Sequence, residues 1–463
     1  MLFNSEGFLF LFLPITYVVF WILRSRRQRY VWLAVTGYIF YAAWNWKFCF
    51  LMLFSTIVSY TAGVLLLRED WTERQRRYVL VIPVTVDLLL LCFFKYANFT
   101  LSTLAGVSAL VGHSVPVRHL DIILPIGISF YTFHTISYVV DCYRRVVKPT
   151  RDFWEFAGYV SLFSQLVAGP IVRFRQIESD LDHIDSIPRD KYINIGWSFF
   201  VIGMCQKVLL ADLIAAVIDP ALAHYRELGT VTSWACMVGY SYQLYFDFSG
   251  YSNMAVGLGY LFGLHIPQNF NTPYKADGIA DFWRRWHISL STCLRDYLYI
   301  PLGGNRGGVA MVYRNLMLTM VIGGLWHGAN WTFVAWGAYH GGLLCLNKAF
   351  ETKWERIAAP VRRSVTFVLV IVGWVLFRST DFTMARTLIG RMFWIAPSAP
   401  VTAFSTLLAL LFVAFLFAHF GKNTFEMTHE WGLAMRCVLF VAFTLCVIRI
   451  VTWHGTPFLY FQF

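Results

Sequence analysis

Two short stretches of this chain concentrate the residue types that move protons and hold anions. The first runs Asp281-Phe282-Trp283-Arg284-Arg285-Trp286-His287 and on to Tyr297. Read as one helix, it puts Asp281 four residues before Arg285, and Trp283 and Arg284 four and three residues before His287, so that these pairs touch. The second, Gly323-Gly324-Leu325-Trp326-His327-Gly328-Ala329-Asn330, sets an imidazole between two strongly apolar runs. Charge is costly there, and an ionisable residue at such depth points to function by default. A neutral histidine, with an unperturbed pKa of about 6.5, is suited to taking the proton of a hydroxyl as it attacks a thioester.

Each stretch also has a reading without chemistry, and the residues alone leave both open. Asp281 to Tyr297 could be an interfacial amphipathic helix whose arginines grip lipid phosphates while Trp283 and Trp286 sit among headgroups. His327 could be a packed histidine bonded to a backbone carbonyl, with Gly323, Gly324 and Gly328 supplying a close approach that would equally admit a substrate. Asp247, in the hydroxyl-rich run Ser241 to Asn253, either orients a histidine or arginine in a cavity or belongs to a structural buried ion pair. His340 follows His327 by thirteen positions, about 20 Å along a helix, too far to share one reacting atom, and is expected to be a packing or cavity residue. Arg284 and Arg285 could hold a donor's phosphates; a structural tie of Arg285 to Asp281 is the alternative.

The surroundings of these stretches are membrane-like. Of 463 residues 58% are hydrophobic and 14% charged, against about 25% charged in an ordinary soluble domain. The net charge of +12 lies in short basic runs between apolar segments, which fits membrane topology and anionic lipid headgroups and not nucleic acid. Nine cysteines stand singly, with no CxxC pair and no zinc spacing, so neither a disulfide framework nor a metal site is expected. Gly-x-Ser-x-Gly and nucleotide-binding signatures are also missing.

Runs long enough to span, about 20 residues, fall near 7–23, 30–46, 48–67, 78–94, 120–140, 195–218, 231–262, 309–325, 330–349, 363–378, 402–420 and 432–452. These predict an all-α polytopic membrane protein with about eleven transmembrane helices, built as a single integral domain over 1–463, its first helix retained and not a cleaved signal. Basic runs at 24–29, 68–77 and 144–151 alternate with the turn at 45–47 and the polar stretch 95–119, which places the N-terminus outside the cytoplasm. Segments 153–176 and 267–308 are too polar and too broken for clean spans. Backbone of that kind must be buried in protein or face a cavity.

Beyond these physical readings, Pro125 to His134, Gln165 to Ile171, Tyr245 to Ser252, Asn269 to Tyr274 and Asp281 to Arg306, in this order, resemble the membrane-bound O-acyltransferases, in particular their bacterial alginate O-acetyltransferase branch. The resemblance implies a ring of helices with re-entrant or broken segments around a thinned centre. It implies His327 as the catalytic base and His287 as its partner; beside them, Asp247, Asp281, Arg284, Arg285, Trp326 and Asn330 are the substrate-binding candidates. No bound cofactor is expected; acetyl-CoA is the implied acyl donor. The implied acceptor is an exported polysaccharide, reached directly or through an extracytoplasmic partner with its own serine nucleophile, at a bacterial inner membrane. Cys293 departs from the tryptophan more usual in the family at that position, either as a packing substitution or as a transient acyl acceptor. The run Gly455 to Phe463 is similar to tails that meet such a partner. D-alanyl transfer to teichoic acid from a carrier protein, acylation of a lipid or lipoprotein, and a non-enzymatic precursor transporter are the rival readings.

Overall fold

The computed structural model describes residues 1–463 other than 114, 115, 117, 398–400, 454–456 and 460–463. Among the described residues every regular element is a helix, as expected where backbone groups must find their partners within their own segment. Six helices among the described residues are long and apolar enough to cross a membrane: Lys47–Leu66, Glu73–Leu110, Arg189–Ala223, Val309–His327, Ala359–Arg378 and Leu433–Trp453. Gly7–Ile22 and Phe404–His419 are apolar but shorter.

The expected spans are not matched one for one. Arg26–Asn45, Thr230–Leu261 and Trp331–Ala349 are 20, 32 and 19 residues long, yet their charged, hydroxyl and aromatic side chains keep them out of the apolar set. The run expected at 120–140 becomes helical only at Ile128 and lasts 16 residues. It starts after Gly127, whose φ of 77° and close approach to the Leu166 carbonyl leave no room for a side chain. The stretch from 95, read as a polar connection, stays helical to Leu110 within a 38-residue helix from Glu73, about 57 Å long at 1.5 Å per residue.

The chain gathers into two compact units, Met1–Trp197 with Ala255–Pro267, and Ser198–Met254 with Gln268–Phe463. In the first unit, residues 161–173 are non-helical and buried throughout, which is the broken, protein-enclosed segment that the sequence requires. Side chains tie it to the preceding helix: Gln165 Nε2 donates to the Tyr159 carbonyl at 2.8 Å, and the Tyr159 hydroxyl donates to the segment's Val172 carbonyl at 2.9 Å.

In the second unit, Val309–His327 and Trp331–Ala349 form a close hairpin. A side chain at Gly324 would run into the Phe333 carbonyl and one at Gly337 into the Met320 carbonyl, so small residues set the helix separation, as in membrane packing generally. In the same unit, Lys207 Nζ bonds Asp247 at 2.5 Å and Asp212 at 2.7 Å. Asp247 also accepts the Leu459 amide at 2.9 Å. Of the tail Gly455 to Phe463, only Pro457, Phe458 and Leu459 are among the described residues. Removing one partner of a buried pair strands the other charge, so Lys207→Met is expected to lower stability by about 3–5 kcal/mol. Thermal unfolding in nanodiscs measures it, and an unchanged midpoint would show that Asp247 does not depend on this cation.

Candidate active site

The helix read as continuous from Asp281 to Tyr297 is broken in the middle. Ile279–Arg285 and Ile288–Leu294 are separate helices, and between them His287 takes a left-handed backbone with φ 45° and ψ 54°. A non-glycine residue in that region is strained by about 1–3 kcal/mol and persists only where its surroundings fix it. Asn269 does so. Its carbonyl accepts the Ile288 amide at 2.9 Å, and its side-chain Oδ1 accepts the Ser289 amide at 3.2 Å and the Ser289 hydroxyl at 2.8 Å. The same Oδ1 lies 3.1 Å from His287 Nδ1, while Asn269 Nδ2 donates to Ser252.

This network assigns the imidazole's tautomer. An amide oxygen can only accept, so the neutral His287 ring donates from Nδ1 and carries its lone pair on Nε2. That Nε2 is buried and has no hydrogen-bond partner among the described residues. Phe248 and Phe270 flank the ring, at 4.7 and 6.4 Å between centroids. The break therefore turns His287 away from the expected Trp283 and Arg284 contacts. The expected Asp281–Arg285 pair does form, at 2.9 Å.

His327 ends the Val309–His327 helix, and its ring centroid lies 6.5 Å from that of His287. Trp326, Trp336 and Phe377 surround it at 5.1, 5.1 and 5.3 Å. The two histidines, forty positions apart in the sequence, are thus buried side by side, although only His327 lines the adjoining cavity. His327 lines a cavity of about 550 Å³ whose wall is mostly apolar and also includes Trp283, Arg284, Arg295, Met320 and Trp336. Arg284 and Arg295 are exposed at the protein surface.

The remaining candidates fall in several places. Trp326 packs on both histidines. The Arg284–Arg285 pair is split, since Arg284 lines the cavity while Arg285 is tied to Asp281. Asn330 caps the Trp331–Ala349 helix through the Thr332 amide at 3.0 Å and donates to the Thr380 carbonyl at 2.8 Å. Asp247 sits in its ion pair with Lys207 and is not among the cavity's lining residues. Cys293 is fully buried and likewise not part of the lining.

Sequence reasoning missed two contributors. Asn269 holds His287 from eighteen positions upstream, a separation with no helical period. Trp336 meets His327 only because the chain reverses at residues 328–330. The straight-helix distance assigned between His327 and His340 fails for the same reason: one indole, that of Trp336, touches both rings, at 5.1 and 4.9 Å.

A multi-pass helical protein with a buried pair of histidines and an adjoining apolar cavity is the class defined by these features. The family model of membrane-bound O-acyltransferases matches residues 35–379. The chain is 43% identical over 394 residues to a probable alginate O-acetylase of Pseudomonas aeruginosa, across 85% of this chain and 75% of that one. It is 39% identical over 491 residues to a probable alginate O-acetylase of Pseudomonas putida, covering 100% of both. It is also 35% identical over 425 residues to a peptidoglycan O-acetyltransferase of Helicobacter pylori, across 85% of this chain and 80% of that one. The chain belongs to the membrane-bound O-acyltransferase family.

If Asn269 sets the position of His287, Asn269→Ala should cut acyl transfer by about 10²-fold, the cost of misplacing a reacting group by about 1 Å. The measurement is initial rate with the variant's monodispersity and melting temperature checked alongside. A rate within threefold of wild type, about 0.7 kcal/mol, would show that the imidazole is positioned without it.

Proposed function

We propose that this protein is an O-acetyltransferase of a bacterial inner membrane, moving acetyl from cytoplasmic acetyl-CoA to hydroxyls of an exported polysaccharide. One observation carries the reading: a single cavity is lined by buried His327 and by Arg284 and Arg295, which are exposed at the protein surface. That arrangement suits a donor with a small acyl thioester and a polyanionic remainder, since guanidinium groups bind phosphate through planar paired hydrogen bonds. Relatives named for O-acetylation of alginate and of peptidoglycan favour a polysaccharide acceptor over a lipid one.

In the proposed reaction the acceptor oxygen attacks the thioester carbonyl carbon while His327 takes the hydroxyl proton. The carbon–sulfur bond then breaks, and the proton held on His327 passes to the departing thiolate, giving an acetyl ester and free CoA. His287, its Nδ1–H committed to Asn269, presents Nε2 as the acceptor that steadies His327 when it is protonated. The acceptor hydroxyl is the polysaccharide's own or a serine on an extracytoplasmic partner that completes the transfer. About eleven spans in a ring around a thinned centre would let a donor that cannot cross the membrane meet an acceptor on its far side.

The test is transfer from radiolabelled acetyl-CoA by purified protein in liposomes with partner and polymer supplied, and a D-alanyl carrier protein in parallel. His327→Ala is expected to lose about 10²–10⁴-fold, the usual contribution of a positioned acid–base group, and His287→Ala to lose strongly while remaining folded. Near-normal transfer by His327→Ala would overturn the mechanism, and turnover of the D-alanyl carrier alone would reassign the donor.

A further inference from the structure

Behind the cavity wall lies a histidine that the reaction does not use. His340 is fully buried and is not among the cavity's lining residues. Its Nδ1 accepts the indole N–H of Trp283 at 3.3 Å, which puts the proton of the neutral ring on Nε2. Nε2 has no hydrogen-bond partner among the described residues. It packs instead against the bare α-carbon of Gly373, where a Cβ would lie 2.7 Å away. Phenylalanine could fill the same ring-shaped space without burying an unmatched N–H, and unmatched polar groups cost stability. What phenylalanine lacks is the acceptor for Trp283.

The consequence of that acceptor appears on the cavity side. Trp283 and Trp336 both line the cavity beside His327 and stand edge to face, 5.6 Å between centroids at 70°. His340 backs both of them, 5.3 Å from Trp283 and 4.9 Å from Trp336. An indole N–H that has found its partner ties one end of the ring in place, and for Trp283 that partner is His340. Here the pin is one hydrogen bond, so the space left beside His327 for an acyl chain is fixed by the position of His340.

Taking acyl transfer at His327 as the reaction, on which this rests, we infer that His340 is a positioning residue that sets acyl-chain selectivity by holding Trp283 and Trp336 as a narrow wall beside the reacting carbon. Its role is to exclude longer acyl groups. Removing the Nδ1 acceptor frees Trp283 to move, and the wall gives way to a larger chain.

The experiment follows free CoA release from acetyl-CoA and butyryl-CoA by the full chain in nanodiscs, with transfer to water counted as turnover. One methylene in an apolar pocket discriminates by about 10–200-fold, so wild type is expected to prefer acetyl over butyryl by about a hundredfold or more in kcat/KM. His340→Phe should reduce that ratio at least about tenfold through a gain with butyryl-CoA, the same scale as one methylene. His340→Asn, which keeps an acceptor near the Nδ1 position, should restore it. Trp283→Phe removes the donor of the same bond and should shift the ratio as His340→Phe does, deciding the matter if the latter does not fold. An unchanged ratio in these variants, or no rescue by His340→Asn, overturns the positioning role while leaving acyl transfer intact. No thiol release by wild type from either donor overturns both.

Discussion

A helix that breaks inside an apolar interior exposes amides and carbonyls to surroundings without water, and it survives only if some other group meets them. In this chain the break at His287 is the one on which the site depends, and Asn269 closes it. A single carboxamide bonds the backbone on the far side of the break, the adjacent serine and the imidazole itself. The interactions that make the irregular backbone tolerable also fix which nitrogen of His287 keeps its lone pair. Backbone conformation and the tautomer of the neutral ring are set by the same few hydrogen bonds. Residues 161–173 solve the equivalent problem in the first unit with Gln165 and Tyr159.

The Gly324–Gly337 contact acts at a different level. By drawing the Val309–His327 and Trp331–Ala349 helices together, it brings Trp336 onto His327 and lets one aromatic cluster run from Phe377 through Trp336 to His340, with Trp336 as its member in the cavity wall. Packing of this kind has few degenerate alternatives, because flat rings at 5–6 Å lose contact if either helix shifts. The cavity's shape is thus a property of the helix separation as much as of the side chains that line it.

Much of this was legible in the sequence. Apolar runs gave the membrane class and the helical content, and the glycine, proline and charge content of 153–176 and 267–308 marked them as broken. His287 and His327 stood out because ionisable groups are rare in such company. What could not be read was long-range. Helical spacing assigned Trp283 and Arg284 to His287, but a left-handed residue resets the direction of the chain and redirects the ring to Asn269, Phe248 and Phe270. Asp247 had two readings of equal standing in the sequence; Lys207, forty positions earlier, is the partner that composition alone could not name. The helix at 73–110 outran its expected end because polar residues such as Asn98 and Thr100 are tolerated on a helix already propagating.

The bond from the Leu459 amide to Asp247 joins residues 212 positions apart. Synthesis runs from the N-terminus, so the Asp247 carboxylate and the Lys207 ammonium are laid down and enter the bilayer long before Leu459 exists. Phe458, which rests on Phe248 and Tyr251, is equally late, and Phe248 is the ring against His287. The wall of the histidine pocket therefore reaches its final packing only once residues 457–459 have left the ribosome. Assembly of this protein is ordered in time, with the packing around His287 completed last.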